Sequence, residues 1–126
     1  MITQDTKELL KFNAHGVSPA DIFKEACEAG KLAVDTYYAK HGEELYCGFG
    51  DVKIVPARGT LVKYLKDIKI GSNGWNGGWR ISSYDIMRGH KLCSTQSMSI
   101  KEEACDAFAK VLEKYGITAY SQSRAD

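Results

Sequence analysis

The sequence contains no CxxC pair, no long apolar run and almost no excess of charge of either sign. Each absence removes a class of function. Cys27, Cys47, Cys93 and Cys105 are widely spaced and lack the accompanying histidine pattern of a zinc knuckle, so no metal site is expected. No segment approaches the roughly 20 apolar residues of a membrane span. The opening residues, MITQDTKELLKFNAHG, also lack the apolar core of a signal peptide. A cytoplasmic protein without membrane contact is the resulting expectation. Seventeen Lys and Arg against sixteen Asp and Glu give a net charge of +1. That is too little to hold a polyanion through counterion release, which disfavours bulk nucleic-acid binding.

What is present reads as one α+β domain spanning residues 1–126, long enough to bury its own core. Residues 1–17 carry a weak amphipathic run with Leu9, Leu10 and Phe12, and read as an N-terminal segment docked loosely or not at all. Ser18, Pro19 and Asp21 mark a helix start by capping residue, first-turn proline and acidic side chain. Helical spacing then runs through Ile22, Phe23, Ala26, Cys27, Ala33, Val34 and Tyr37 to a stop at Gly42. The alanine-rich face of this helix favours close packing. A period of two around Val52-Lys53-Ile54-Val55 predicts a strand ended by Pro56, with Gly48 and Gly50 marking a bulge or a close backbone approach. Leu61, Val62, Leu65 and Ile68 predict a short helix, and the glycine-rich turn 71–78 leads into a strand over 79–84. A further strand is expected over 91–98. A helix with a Ser99-x-x-Glu102 capping box follows, and the chain closes in a strand over 117–122. The order fits a ferredoxin-like βαββαβ antiparallel sheet with helices on one face and an extra N-terminal helix.

No set of residues commits the chain to catalysis. Cys47, between Tyr46 and Gly48-Phe49-Gly50, is the one candidate nucleophile, but His15, His41 and His90 fall in loops or at helix ends, and no spacing brings one to it. The simpler reading of Cys47 is a strand residue facing the core. Cys27 and Cys105 read as buried, reduced thiols on apolar helix faces. Asp51, Asp85, Glu102 and Glu103 form no pair that demands acid and base roles, and Glu102 is taken up by the cap.

Binding residues are easier to nominate. Arg58-Gly59 lies where a strand meets a helix N-terminus, an end that offers unpaired N–H groups to an anion, although an ordinary salt bridge or hydrogen bonds to a neighbouring loop are the simpler account of the arginine. Trp75, Trp79 and Arg80 surround a flexible turn, where an indole could stack on a base and a guanidinium meet a phosphate; a core tryptophan or a protein-binding hot spot are the competing readings. Arg124 would complete an anion site with Arg58 if the strand order brought both to one sheet end, and otherwise belongs to a frayed tail.

Several segments carry a resemblance: Cys47-Gly48-Phe49, Pro56-Ala57-Arg58-Gly59, Leu65-Lys66, the Gly-Trp turn, Thr95-Gln96-Ser97, Ala107-Phe108-Ala109 and Ser123-Arg124-Ala125-Asp126. Together they resemble a family of small, mostly uncharacterised accessory proteins of tailed bacteriophages, over roughly the last two thirds of the chain. In that family an aromatic residue tends to follow Cys-Gly-Phe closely, where this chain has Gly50-Asp51. The resemblance implies expression in the cytoplasm of an infected bacterium. Such accessory proteins often antagonise host defences or redirect host enzymes, and with no catalytic set in the chain the expectation is a non-enzymatic binding role: antagonising a host defence component in the manner of an anti-CRISPR inhibitor, or sequestering a nucleotide-type ligand. The expected ligand-binding set is Arg58, Gly59, Trp75, Trp79, Arg80 and Arg124. Its expected partner is a host protein or a nucleotide-type small molecule, with no cofactor, and an open sheet edge would also permit a homodimer. A Cys47-dependent enzyme and a single-stranded nucleic-acid binding module are the alternatives.

Overall fold

A computed structural model describes residues 16–44 and 46–125. The amphipathic run containing Leu9, Leu10 and Phe12 lies outside these residues, as does His15. The first described helix, α1 (Pro19–His41), starts as its sequence dictates: Ser18 Oγ accepts the Asp21 N–H at 3.2 Å. It ends at Gly42, whose N–H bonds back to the Tyr38 carbonyl at 2.8 Å.

Strand β1 (Gly48–Ile54) follows, then helix α2 (Thr60–Asp67), strands β2 (Ser72–Asn73) and β3 (Trp79–Ser82), and a one-turn helix α3 (Ser83–Ile86). Helix α4 (Met98–Lys114) and strand β4 (Ala119–Ala125) complete the fold. The sheet is antiparallel with strand order β2-β3-β1-β4, so β1 is central and pairs with both β3 and β4. Its register with β4 runs without a slip from Gly48↔Ala125 to Ile54↔Ala119. The glycines of β1 therefore mark close approach and not a bulge. A Cβ on Gly50 would stand 2.9 Å from the Lys101 Cβ, and one on Gly48 2.7 Å from the Arg124 carbonyl oxygen.

Alternation along β1 and β3 gives the sheet two unlike faces. Val52, Ile54, Trp79 and Ile81 are buried on one side. There they meet Phe108, Leu112 and Ile100 of α4, Ile22, Ala26 and Val34 of α1, and Leu61, Val62 and Leu65 of α2, in one continuous core. Phe49, Asp51, Lys53 and Arg80 lie on the other side, which no described helix covers.

Four sequence expectations are corrected. No strand forms over 91–98. Successive three-residue turns run from His90 through Cys93 and Thr95, each N–H bonding the carbonyl three residues back, so alternating polarity there never meets a partner strand beyond the single Cys47↔Ser97 bridge. The second hairpin strand is instead Ser72–Asn73, ahead of the glycine turn. Helix α4 is capped by Ser97, whose Oγ accepts the Ile100 N–H, and not by Ser99. The capping role assigned to Glu102 therefore lapses, and Ser99 turns its hydroxyl to Glu44. The C-terminal segment is not frayed, because residues 121–125 continue β4 along β1.

Candidate functional site

Three side chains of β1, Phe49, Asp51 and Lys53, lie on one face because they occupy alternate positions. Across the ladder Lys53 stands opposite Arg80, and Phe49 opposite Arg124. The β2–β3 turn projects over this face. It closes by Gly77 N–H to Gly74 carbonyl, with Gly77 and Gly78 at positive φ of 89° and 76°, a conformation that favours glycine. Lys53 Nζ donates to the Asn76 carbonyl at 3.3 Å and ties the turn to the sheet. Trp75, at the tip, is 97% exposed.

These elements bound a cavity of about 580 Å³, within the range of small-molecule sites. Its walls include Phe49, Asp51, Lys53, Trp75, Arg80 and Arg124. Arg80 Nε donates to Asp51 Oδ2 at 2.7 Å, while Asp51 Oδ1 is buried without a hydrogen-bond partner among the described residues. The Arg124 guanidinium carbon lies 5.2 Å and Lys101 Nζ 5.6 Å from the Phe49 ring centroid, both within cation–π range. Lys101 Nζ also donates to the Gly48 carbonyl at 2.6 Å. Among the described residues neither Arg124, Lys53 nor Lys101 has a carboxylate partner, so this face carries surplus positive charge in a nearly neutral chain.

Of the residues nominated from sequence, Trp75, Arg80 and Arg124 converge on this cavity. Trp79 does not. It is 8% exposed on the covered face, where its Nε1–H donates to the Ile70 carbonyl at 3.0 Å and Lys66 Nζ lies 5.2 Å from the ring. Arg58 and Gly59 also stand apart. Gly59 precedes α2 without a side-chain cap, and exposed Arg58 follows the end of β1, whereas Arg124 pairs near its start. From Phe49 to Ile54 alone the strand covers about 17 Å, so the two arginines sit at opposite sheet ends.

Phe49, Asp51, Lys53 and Lys101 were not nominated. The alternation of Phe49, Asp51 and Lys53 with Gly48, Gly50, Val52 and Ile54 was the available signal. Lys101 carried none, since it reaches the face only through the packing of α4 on β1.

The thiol reading fares less well. Cys47 is exposed and does not face the core as expected. His90 is committed elsewhere: its Nδ1 accepts the Leu92 N–H at 3.0 Å, which leaves the proton on Nε2, 2.6 Å from Asp35 Oδ1. The His41 ring packs 4.6 Å from that of Tyr37. Burial pushes the Cys27 thiol up to about 12 and raises that of Cys105 as well, so both stay protonated at neutral pH. Among the described residues no cluster of His, Cys, Asp and Glu could hold a metal ion, and no helix is long and apolar enough to cross a membrane.

No protein-family model, curated protein or solved structure matches the chain.

Proposed function

We propose that the domain is a binding protein that holds a nucleotide-type anion on the open face of its sheet. The observation that carries this reading is the convergence of an almost fully exposed indole with the guanidiniums of Arg80 and Arg124 around one cavity. A base stacks on Trp75 because every base offers a π-face to an indole. The phosphate meets Arg124, Lys53 and the Nη groups of Arg80, which its bond to Asp51 leaves unused. Asp51 orients that guanidinium, since it fixes Nε toward the strand.

An exposed tryptophan also suits a protein interface. The concavity beside it, and the cations without carboxylates, favour a small anion over a broad apolar partner. The strand order β2-β3-β1-β4, with helical segments between β1 and β2 and between β3 and β4, supports reading the chain as a ferredoxin-like unit with an added N-terminal helix. In the phage setting that the resemblance implies, sequestering a nucleotide signal would blunt a host defence without any catalysis.

Tryptophan fluorescence tests this directly, because only one of the two indoles is exposed. Nucleotides should quench Trp75 emission. Trp75→Ala should weaken binding, measured by calorimetry, by the roughly 1–3 kcal/mol of a base–aromatic stack, with the fold intact. Arg124→Ala should weaken it and flatten its salt dependence. Nucleotide binding that survives both substitutions would sink the proposal, as would no binding of any nucleotide at millimolar concentration.

A further inference from the structure

The open face holds a second hollow of about 330 Å³. Phe49 and Arg80 stand in the walls of both, so the two hollows meet along these side chains. Further walls of the second come from Tyr84, Gln96 and Lys101, with the hydroxyls of Ser82 and Thr95.

The polar groups of this second hollow divide into two kinds. Ser82 Oγ accepts the Asp85 N–H at 3.2 Å, and Thr95 Oγ1 donates to Glu43 and accepts from the Ser97 N–H; both hydroxyls serve the fold. The Gln96 amide and the Tyr84 hydroxyl, in contrast, have no hydrogen-bond partner among the described residues, and both residues are exposed. A glutamine amide presents a donor beside an acceptor, the pattern that a base edge also presents. The ridge between the hollows carries the charge. Arg80, Lys101 and Arg124 stand about Phe49, with Lys53 farther along the wall of the first hollow, and among the residues lining the two hollows Asp51 is the single carboxylate against these four cations.

We infer that this face takes a ligand with two nucleosides joined through phosphate. One base stacks on Trp75, the linking phosphate lies over the ridge of Phe49, Arg80, Lys101 and Arg124, and the second nucleoside enters the hollow of Gln96 and Tyr84. The inference rests on the nucleotide reading above and deepens it. A mononucleotide fills one hollow and leaves the other to water, whereas a linked pair makes the second contact intramolecular and gains affinity without any new residue. A free dinucleotide and a dinucleotide step within a single strand share this chemistry.

Calorimetric titration of the full chain separates the possibilities. The probes are the four mononucleotides, the matching linear 5′-phosphorylated dinucleotides, the 3′,5′-cyclic dinucleotides and homo-octanucleotides. At least one dinucleotide should bind about tenfold or more tighter than its mononucleotide. Gln96→Ala combined with Tyr84→Phe should remove that advantage and leave mononucleotide affinity unchanged, with the thermal melt of the variant confirming the fold. A cyclic or linear dinucleotide that outcompetes the octamer identifies a free ligand; an octamer that matches the linear dinucleotide identifies a strand. Mononucleotide binding that depends on Trp75, with no gain from the second nucleoside or no loss in the double variant, overturns this inference alone. Absence of all nucleotide binding overturns it together with the reading beneath it.

Discussion

The two faces of this sheet are built from alternate residues of the same strands, yet they do opposite work. On the covered face Val52, Ile54, Trp79 and Ile81 disappear against the helices. On the open face Phe49, Lys53, Arg80 and Arg124 stay within reach of solvent, and the β2–β3 turn leans Trp75 over them. The two tryptophans make the contrast sharpest. They are four residues apart, and one is part of the core while the other touches almost nothing. Chemical type therefore does not say which tryptophan binds; the position in the strand or turn does.

Exchanging each indole for a methyl group should break that comparison most visibly. Trp79→Ala removes a buried ring and leaves the Ile70 carbonyl without its donor, and should destabilise the fold by about 3–5 kcal/mol. Trp75→Ala should change stability by no more than about 0.5 kcal/mol, as expected of an exposed site. Urea unfolding of both variants measures the difference. Similar losses for the two would mean that the turn depends on its tryptophan as much as the core does.

A smaller effect is expected where the two faces communicate. Gly50 is buried in β1 directly beneath the N-terminal half of α4, and an added Cβ would press on the Lys101 Cβ at 2.9 Å. Gly50→Ala should cost about 1–2 kcal/mol: overpacking of about 1–3, offset by the smaller chain entropy that alanine surrenders. Since Lys101 reaches round to the Phe49 ring and the Gly48 carbonyl, the same change should also lower affinity for whatever anion binds the open face. Lost stability with unchanged affinity would show that the two sides are independent.

The sequence made the helices legible because their signals are local. The Ser18 cap and the glycine stop of α1 stand where capping chemistry puts them, and α2 and the body of α4 follow their apolar stripes. The sheet was harder, since pairing is not local. The alternation over 91–98 is as regular as that of a true strand, yet turns with bonds to the third residue back consume its backbone groups. The strand β2 has only two residues, too few to show any period. For the site, Trp75, Arg80 and Arg124 could be named, but their neighbours required a register. Trp79 and Arg80 are adjacent in a strand, so they point to opposite faces and cannot both line one surface, which period-two alternation alone dictates. Arg58 and Arg124 needed the strand order before their separation could be seen.

The smallest effect should come from the polar contacts that decorate the helical side. Glu25 of α1 accepts hydrogen bonds from Lys114 and Tyr115 at the end of α4. Those bonds hold the Glu25 carboxyl below its ordinary value of 4.5 and raise the Lys114 ammonium and the Tyr115 hydroxyl above theirs. A carboxyl with a lowered value in the folded state contributes stability above its unfolded value and loses it as the pH falls through the folded one. The raised lysine and tyrosine contribute below their unfolded values and lose that contribution as the pH rises through their folded ones. Wild type and Glu25→Gln should therefore differ most between about pH 5 and pH 10 and converge at both ends. The groups are exposed, so the gap in urea midpoint should stay well below that of Trp79→Ala and shrink with added salt. A gap that rivals the tryptophan's, or that widens in acid, would mean that the helical layer is held to the core by this ionic cluster more than by the packing of Phe108 and Leu112.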